Sequence, residues 1–566
     1  MPYRAPVSEY QFILEQVVPL APVVASDCFA EVTPDLTEAI LNECGKLCDA
    51  VMGPLQRPGD LVPARLENGV VRTTPGFAEG YAAIAEGGWV GISASPSFGG
   101  MGLPLTMNTA MHDMMCGACI SLNLCPLLSQ GQIEALEHHA SPELQDIYLP
   151  KLISGEWTGT MNLTESHAGS DVGALSTKAE PQSDGTYKVT GQKIFITWGE
   201  HDVAENICHL VLARLPGAKP GPKGISLFLV PKFIPHSDGT LGVRNDLRCV
   251  SLEHKLGIHG SPTAVMEFSA ATGWLVGEEH NGMACMFTMM NNARLAVGMQ
   301  GVGVAEGAYQ HALSYALGRK QGTSLIADGT GTIIDHADVR RMLAQMKSEI
   351  FAARSIGVAC AVALDMAKAT QDSKWKARAA LLTPIAKSFG SDVGVQMSDI
   401  GVQIHGGMGF IEETAAAQYL RDARITPIYE GTNGIQSMDL VARKMMDGGA
   451  AAFSLMDEMT QLAAASKSDL AQAVQVSVAE LRVTTEWLVT QDLNERFAGS
   501  VSYQRAFARV LGGYFHLIAA SSGDSKRERL GRFYINSLLP EHTALCAQAR
   551  VGSSDIYALE LNDFAA

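Results

Sequence analysis

Apolar residues recur with a helical period over residues 36–156, for example at 36–51, 77–86 and 107–119, with a glycine-rich break at 95–103. Over 157–275 the period shortens. Segments 187–190, 208–214, 225–230 and 264–268 carry β-branched and aromatic residues and are separated by turn-rich gaps such as 216–224, the pattern of a strand region. Helical periodicity returns over 276–447, in long runs at 283–319 and 347–369, as in a helical bundle. It continues through 448–566, with helices expected at 462–489, 503–520 and 532–549. The pattern therefore predicts an α+β protein, mainly α, in five parts: a leader at 1–35, a helical domain at 36–156, a β-domain at 157–275, a helical bundle at 276–447 and an additional helical domain at 448–566.

A chain of 566 residues, 47% hydrophobic, exceeds what one core organises and can bury several. The net charge of −17 argues against non-specific attraction to nucleic acid or anionic lipid, so small molecules and proteins are the expected partners. Apolar stretches are broken by charges and turn formers, and no membrane span is expected. The first residues lack a secretory or transit pattern, which places the chain in the cytoplasm. Eleven cysteines, an odd number, suit free thiols. Cys116 and Cys119 have the spacing of a redox dithiol or half a zinc site, but they sit in a helical pattern without a second pair, and no metal is expected. Gly301, Gly303 and Gly307 brush a dinucleotide fingerprint, yet no strand precedes them, and close helix packing is the expected use. The densest basic cluster, Lys526, Arg527, Arg529 and Arg532, lies in a region with 13 acidic and 10 basic side chains and reads as a solvated helix face.

Four motifs carry chemistry. Residues 161–171 read Met-Asn-Leu-Thr-Glu-Ser-His-Ala-Gly-Ser-Asp, and 191–197 read Gly-Gln-Lys-Ile-Phe-Ile-Thr. Residues 403–410 read Gln-Ile-His-Gly-Gly-Met-Gly-Phe, and 428–433 read Ile-Tyr-Glu-Gly-Thr-Asn. In the last, a lone carboxylate precedes a glycine that lets the backbone approach a ligand closely, a setting suited to a general base. Alone, the tetrapeptide equally reads as a surface turn.

Taken together and in this order, the four motifs resemble the acyl-CoA dehydrogenase family over roughly residues 75–447. The extension beyond 447 resembles a larger subclass of that family with an added C-terminal helical domain, which implies a homodimer. The resemblance implies the family fold, FAD as cofactor, and α,β-dehydrogenation of an acyl-CoA thioester, of short or medium chain such as 3-methylmercaptopropionyl-CoA. It implies electron-transferring flavoprotein as the electron acceptor. Glu430 matches the base that removes the α-proton, and its backbone N–H is expected at the thioester oxygen. Met161, Leu163, Thr164, Gly169, Ser170, Phe195, Ile196 and Thr197 match segments that line the flavin ring. Arg319 matches an arginine on the flavin pyrophosphate. Gln403, Ile404, Gly406 and Gly407 match a segment that meets the flavin of a neighbouring subunit, and Thr432 and Asn433 match its adenosine side. Ser170, Arg294, Tyr429 and Gly431 match substrate contacts.

Ser166 and His167 depart from the Pro-Gly frequent in the flavin loop, and His167 is expected to be exposed. Phe195 replaces a frequent Trp, and Asn291 and Ala293 replace an Asp and a Thr, which loosens the substrate contacts implied around Arg294. Two further readings stay open on the same fold. A flavoprotein that binds DNA would have a strongly basic extension, and an oxidase would differ in the access of oxygen to the flavin.

Overall fold

The computed structural model describes residues 2–326 and 328–565, with the side chains of Asn291 and Asn292 outside the description. The chain forms two compact units, one of Pro2–Ala5 and Asn42–Ala293, the other of Pro6–Leu41 and Arg294–Ala566.

In the first unit, the helix Leu105–His139 is buried along almost its whole length and kinks at Cys119, whose φ of −160° and ψ of 91° leave the helical region. A seven-stranded sheet follows, in the order Leu247–Leu252, Thr263–Val276, Tyr187–Thr197, Lys178–Pro181, Asn206–Arg214 and Trp157–Asn162, with Ile225–Pro231 pairing both Thr263–Val276 and Asn206–Arg214. Pairing is mainly antiparallel, but Trp157–Asn162 runs parallel to Asn206–Arg214. Tyr187–Thr197 buries only Val189, Lys193 and Ile196, while Asn206–Arg214 and Ile225–Pro231 are buried almost throughout and read as nearly continuous apolar runs, interrupted by His209 and Ser226. Val189, Val211, Phe228, Met266 and Phe268 form the centre of this core.

In the second unit, the helices Ala337–Thr370, Ser373–His405 and Asn433–Val441 pack with Leu493–Ala520 from the extension. Gly298 and Gly301 on the helix Gly282–Gly318 explain how it approaches Ser373–His405. A Cβ on Gly298 would lie 2.5 Å from the Ala386 carbonyl oxygen, and one on Gly301 would lie 2.2 Å from that of Gly390. Gly301 thus serves close helix packing, as expected, Gly298 does so as well, and this crossing places Arg294 and Lys387 on neighbouring helices.

The helices Leu105–His139 and Ala337–Thr370 are long and apolar enough to cross a membrane by length and mean hydropathy, 1.2 and 1.7, yet turn formers such as Gly117 and Pro126 interrupt the first and Arg354 and Asp365 the second. Their apolar windows are 100% and 89% buried inside the protein, which accounts for the composition as that of core helices. One expectation requires correction: the basic cluster is not simply a solvated face. Arg527 is largely buried and donates to both oxygens of Glu9, at 2.8 and 2.7 Å, with its guanidinium 4.1 Å from the Phe12 ring centre. Arg532 meanwhile pairs with Asp469 at 2.6 Å. The leader therefore contains built structure, the helix Val7–Phe12 with Tyr10 fully buried.

Candidate active site

In the second unit, the segment after the helix Ala416–Ala423 turns sharply and ends at Thr432, whose hydroxyl caps the helix Asn433–Val441 by accepting from the Ile435 N–H at 3.3 Å. Glu430 lies in this turn at φ 56° and Gly431 follows at φ 85°. Two successive left-handed residues raise the carboxylate away from the helix start, and a non-glycine residue at such an angle is uncommon enough to mark a functional position. A Cβ on Gly431 would come within 2.7 Å of Gln436 Nε2, which itself donates to the Glu430 carbonyl at 3.3 Å.

As a residue Glu430 is partly exposed, yet its carboxyl lies deep among protein atoms, and this depth controls its protonation. Burial raises its pKa to about 7, against the opposing charges of Arg294 and Lys387. Arg294 is itself 7% exposed and has Asp439 Oδ2 at 4.0 Å. Asp439 also takes a bond from Arg443 and lies 3.9 Å from Lys444. The Tyr429 hydroxyl donates to Gln300 Oε1, which fixes the ring beside the turn.

Asn433 is occupied within the protein. Its Oδ1 accepts from Lys387 Nζ at 2.9 Å and Ser391 Oγ at 3.2 Å, and its Nδ2 lies 2.7 Å from Asp392 Oδ1. Its amide is thereby a structural bridge between the turn and the helix Ser373–His405. Neither Lys387 nor Gln300 was apparent as a site residue in the sequence, and the available signal was a lysine set among the apolar positions of 379–394.

The remaining flavin candidates of this unit fall into two groups. Arg319, Gln403, Gly406, Gly407 and Thr432 are exposed, and a Cβ on Gly406 or Gly407 would meet nothing within 4 Å. Ile404 instead turns its side chain inward, leaving only its backbone for a ligand. His405, beside it, stacks between His311 and Tyr315 at centroid distances of 4.8 and 4.4 Å.

In the first unit, Met161 lies one residue before the end of the strand Trp157–Asn162, and the loop after it leaves Thr164 half-buried and brings Gly169 and Ser170 to the surface. Leu163 is buried and its carbonyl accepts from Lys193 Nζ at 3.0 Å. Glu165 holds this loop, since its carboxylate accepts from Lys193 at 2.8 Å, from Ser176 Oγ at 2.7 Å and from Thr177 Oγ1 at 2.6 Å. Burial opposes the charge, yet Lys193 and these donors hold the Glu165 pKa at about 2. Burial pushes Lys193 down to about 8 despite the same carboxylate, because its ammonium has exchanged water for few acceptors. The two values move in opposite senses for the stability of the pair, and the well-donated carboxylate is the firmer anchor. His167 is exposed, as expected, with Nε2 3.2 Å from the Ala174 carbonyl.

Phe195 has φ 61° and is 58% exposed, so its ring is presented on the surface, flanked by Thr197. Ile196 is 2% exposed and belongs to the sheet core, so only its backbone can serve a ligand. All eleven cysteines are free, and burial pushes the Cys116 thiol up, away from the reactive thiolate.

Residues 66–156, 160–271 and 280–446 match the family models for the acyl-CoA dehydrogenase N-terminal, middle and C-terminal domains, and 455–560 match the acetyl-CoA dehydrogenase C-terminal-like model. The chain is 43% identical to 3-methylmercaptopropionyl-CoA dehydrogenase of Ruegeria pomeroyi, over 99% of this chain and 96% of the relative. The chain belongs to the acyl-CoA dehydrogenase family. Its sequence is also 33% identical to a butyryl-CoA dehydrogenase of Syntrophomonas wolfei, over 95% of each. A solved acyl-CoA dehydrogenase of Bacillus anthracis complexed with FAD shares the fold, with a TM-score of 0.75 at 20% identity over 96% of this chain and 91% of that one. As a member of the acyl-CoA dehydrogenase family the protein is an oxidoreductase, with the mainly helical fold, central β-domain and helical extension that the sequence implied.

Proposed function

We propose that the protein dehydrogenates an acyl-CoA thioester between its α and β carbons, with Glu430 as the base that takes the α-proton. The observation that carries this reading is a carboxyl whose proton affinity burial has raised to about 7, held on a strained turn, which is the range in which a carboxylate both accepts and releases a proton near neutrality. The residues present suit FAD. The exposed Phe195 ring and loop hydroxyls suit a flat ring with a polar edge, and the exposed guanidinium of Arg319 suits a pyrophosphate. Hydride acceptance is the chemistry that FAD supplies when bound, since no side chain can take a hydride. Glu430 removes the proton on the other carbon, its backbone N–H offers a donor where charge grows on the thioester oxygen, Arg294 and Lys387 limit the rise in its proton affinity, and Tyr429 orients the turn.

Likeness to the Ruegeria pomeroyi enzyme supports 3-methylmercaptopropionyl-CoA as substrate, within a short or medium range that includes butyryl-CoA. The same reading includes electron-transferring flavoprotein as acceptor, a homodimer in the cytoplasm, and domain limits at 36, 157, 276 and 448. The acidic balance of 448–566, with Arg527 paired to Glu9 and Arg532 to Asp469, speaks against the DNA-binding reading.

Anaerobic bleaching of the flavin by a panel of thioesters tests the proposal. Wild type should bleach with 3-methylmercaptopropionyl-CoA, and Glu430→Gln should retain flavin and lose bleaching by at least about 10³-fold. A flavin-replete wild type that no thioester bleaches, or a variant that bleaches as wild type does, would overturn it.

A further inference from the structure

We propose that Lys387 is a positioning residue for Glu430: its buried ammonium fixes the turn through Asn433, and its charge acts on the Glu430 carboxylate. This inference rests on the reading of Glu430 as the base. Lys387 is fully buried on the helix Ser373–His405, where an ammonium is costly unless its charge is answered. Its hydrogen bond goes to a neutral amide, Asn433 Oδ1 at 2.9 Å, 46 residues away in the chain. The Asn433 backbone N–H donates to the Pro427 carbonyl at 3.0 Å, and so closes the loop that carries Glu430. A neutral donor at position 387 could hold Asn433 equally well, whereas the carboxylate at 430 gives the positive charge a use.

The charges around the turn come from four helices and from short segments beside them. Arg294 lies on the helix Gly282–Gly318, and Lys387 and Asp392 lie on Ser373–His405. Asp439 lies on Asn433–Val441, with Arg443 and Lys444 immediately after it. Arg424 and, from Leu493–Ala520, Arg505 act on Asp392. Arg294 shares its charge with Asp439, but the largest charge acting on Lys387 is that of Glu430, ahead of Asp392. Burial and Arg294 lower the Lys387 pKa to about 8, against those two carboxylates, so the ammonium remains charged at neutral pH.

The test is an infrared titration of the protonated Glu430 carboxyl band in the resting, flavin-replete enzyme, with the pH profile of flavin reduction by 3-methylmercaptopropionyl-CoA. Glu430→Gln identifies the band by removing it. Lys387→Met should raise both midpoints by about 1 unit, because an opposing charge is lost, and Lys387→Arg should return them toward wild type. Asn433→Ala, which keeps the ammonium but cuts the bridge, should slow reduction by about tenfold with a smaller change of midpoint. A wild-type midpoint in Lys387→Met overturns the inference whatever its rate. If that variant loses flavin, a wild-type rate and midpoint in Asn433→Ala overturn it. Retained reduction in Glu430→Gln defeats the base assignment and this inference with it, whereas an inactive Glu430→Gln beside an unmoved Lys387→Met defeats this inference alone.

Discussion

Glu430 binds its proton more tightly in the folded protein than in the unfolded chain, with a pKa raised from 4.5 to about 7, chiefly by burial. Its contribution to stability is therefore fully present below about pH 4.5 and is lost as pH rises through 7. At about 1.4 kcal/mol per unit the loss approaches about 3 kcal/mol as a ceiling. Gln at this position never ionises, so in paired thermal melts of the flavin-replete proteins the Tm of Glu430→Gln should gain on wild type between pH 4.5 and 7 and hold that margin above 7. A margin that stays constant with pH would show that the carboxyl is not held protonated by the fold. Glu430 and Tyr429 were legible in the sequence because their motif is contiguous and its glycine announces a tight turn. Lys387 was not, because what gives it meaning is a hydrogen bond to a residue on another element. Asn433 matched a ligand position in sequence, but the fold occupies its amide with Lys387, Ser391 and Asp392.

At the scale of elements, periodicity placed the helical and strand regions, since both depend on local spacing of apolar residues, but not every break within them: the helix expected at 462–489 is interrupted at 466–470, between Ala450–Ala465 and Ala471–Thr490, and the one expected at 532–549 is interrupted at 539–540. The inward turn of Ile196 and Ile404 was not legible at this scale, because a motif names positions without saying which side of a strand or helix end they face. Gly301 was read correctly as a packing residue, although its partner could not be named from the sequence, and Gly298 was not singled out at all. The effect of Gly301 is quantitative. A methyl group at position 301 would stand 2.2 Å from the Gly390 carbonyl oxygen and 2.7 Å from the Ser391 Cα, contacts that only a shift of one helix could relieve. Gly301→Ala should therefore cost about 2 kcal/mol despite the better helix propensity of alanine, seen as a fall in Tm of several degrees. The same shift would move Lys387 relative to Arg294, so the variant should also reduce flavin more slowly. A Tm at or above wild type would mean that propensity outweighs the crossing.

At the scale of the whole chain, the leader from Pro6 onward and the extension belong to one compact unit, joined by an ion pair between residues 518 positions apart. Composition cannot show such a pair, and a cluster of four basic residues in an acidic protein naturally reads as solvent-facing. Glu9 is 6% exposed, and although burial alone would raise its pKa, the bonds from Arg527 and the charges of Lys347 and Arg354 hold it at about 2. The stability from this group is present above pH 4.5 and is lost as pH falls through about 2. Arg527 also stacks on Phe12 and lies 5.6 Å from the Phe351 ring centre, so it binds the leader helix to Ala337–Thr370 by packing as well as charge. Arg527→Met would leave a buried carboxylate without its two donors, at a cost of about 3–5 kcal/mol at neutral pH. Glu9→Gln combined with Arg527→Met should recover part of that loss, because the residual cost of the single variant is the stranded charge rather than the missing attraction. Urea unfolding at pH 7 distinguishes the two terms. A double variant no more stable than Arg527→Met would assign the whole effect to the cation's packing on Phe12 and Phe351, whereas recovery would show that the stranded Glu9 carboxylate accounts for the recovered part of the cost.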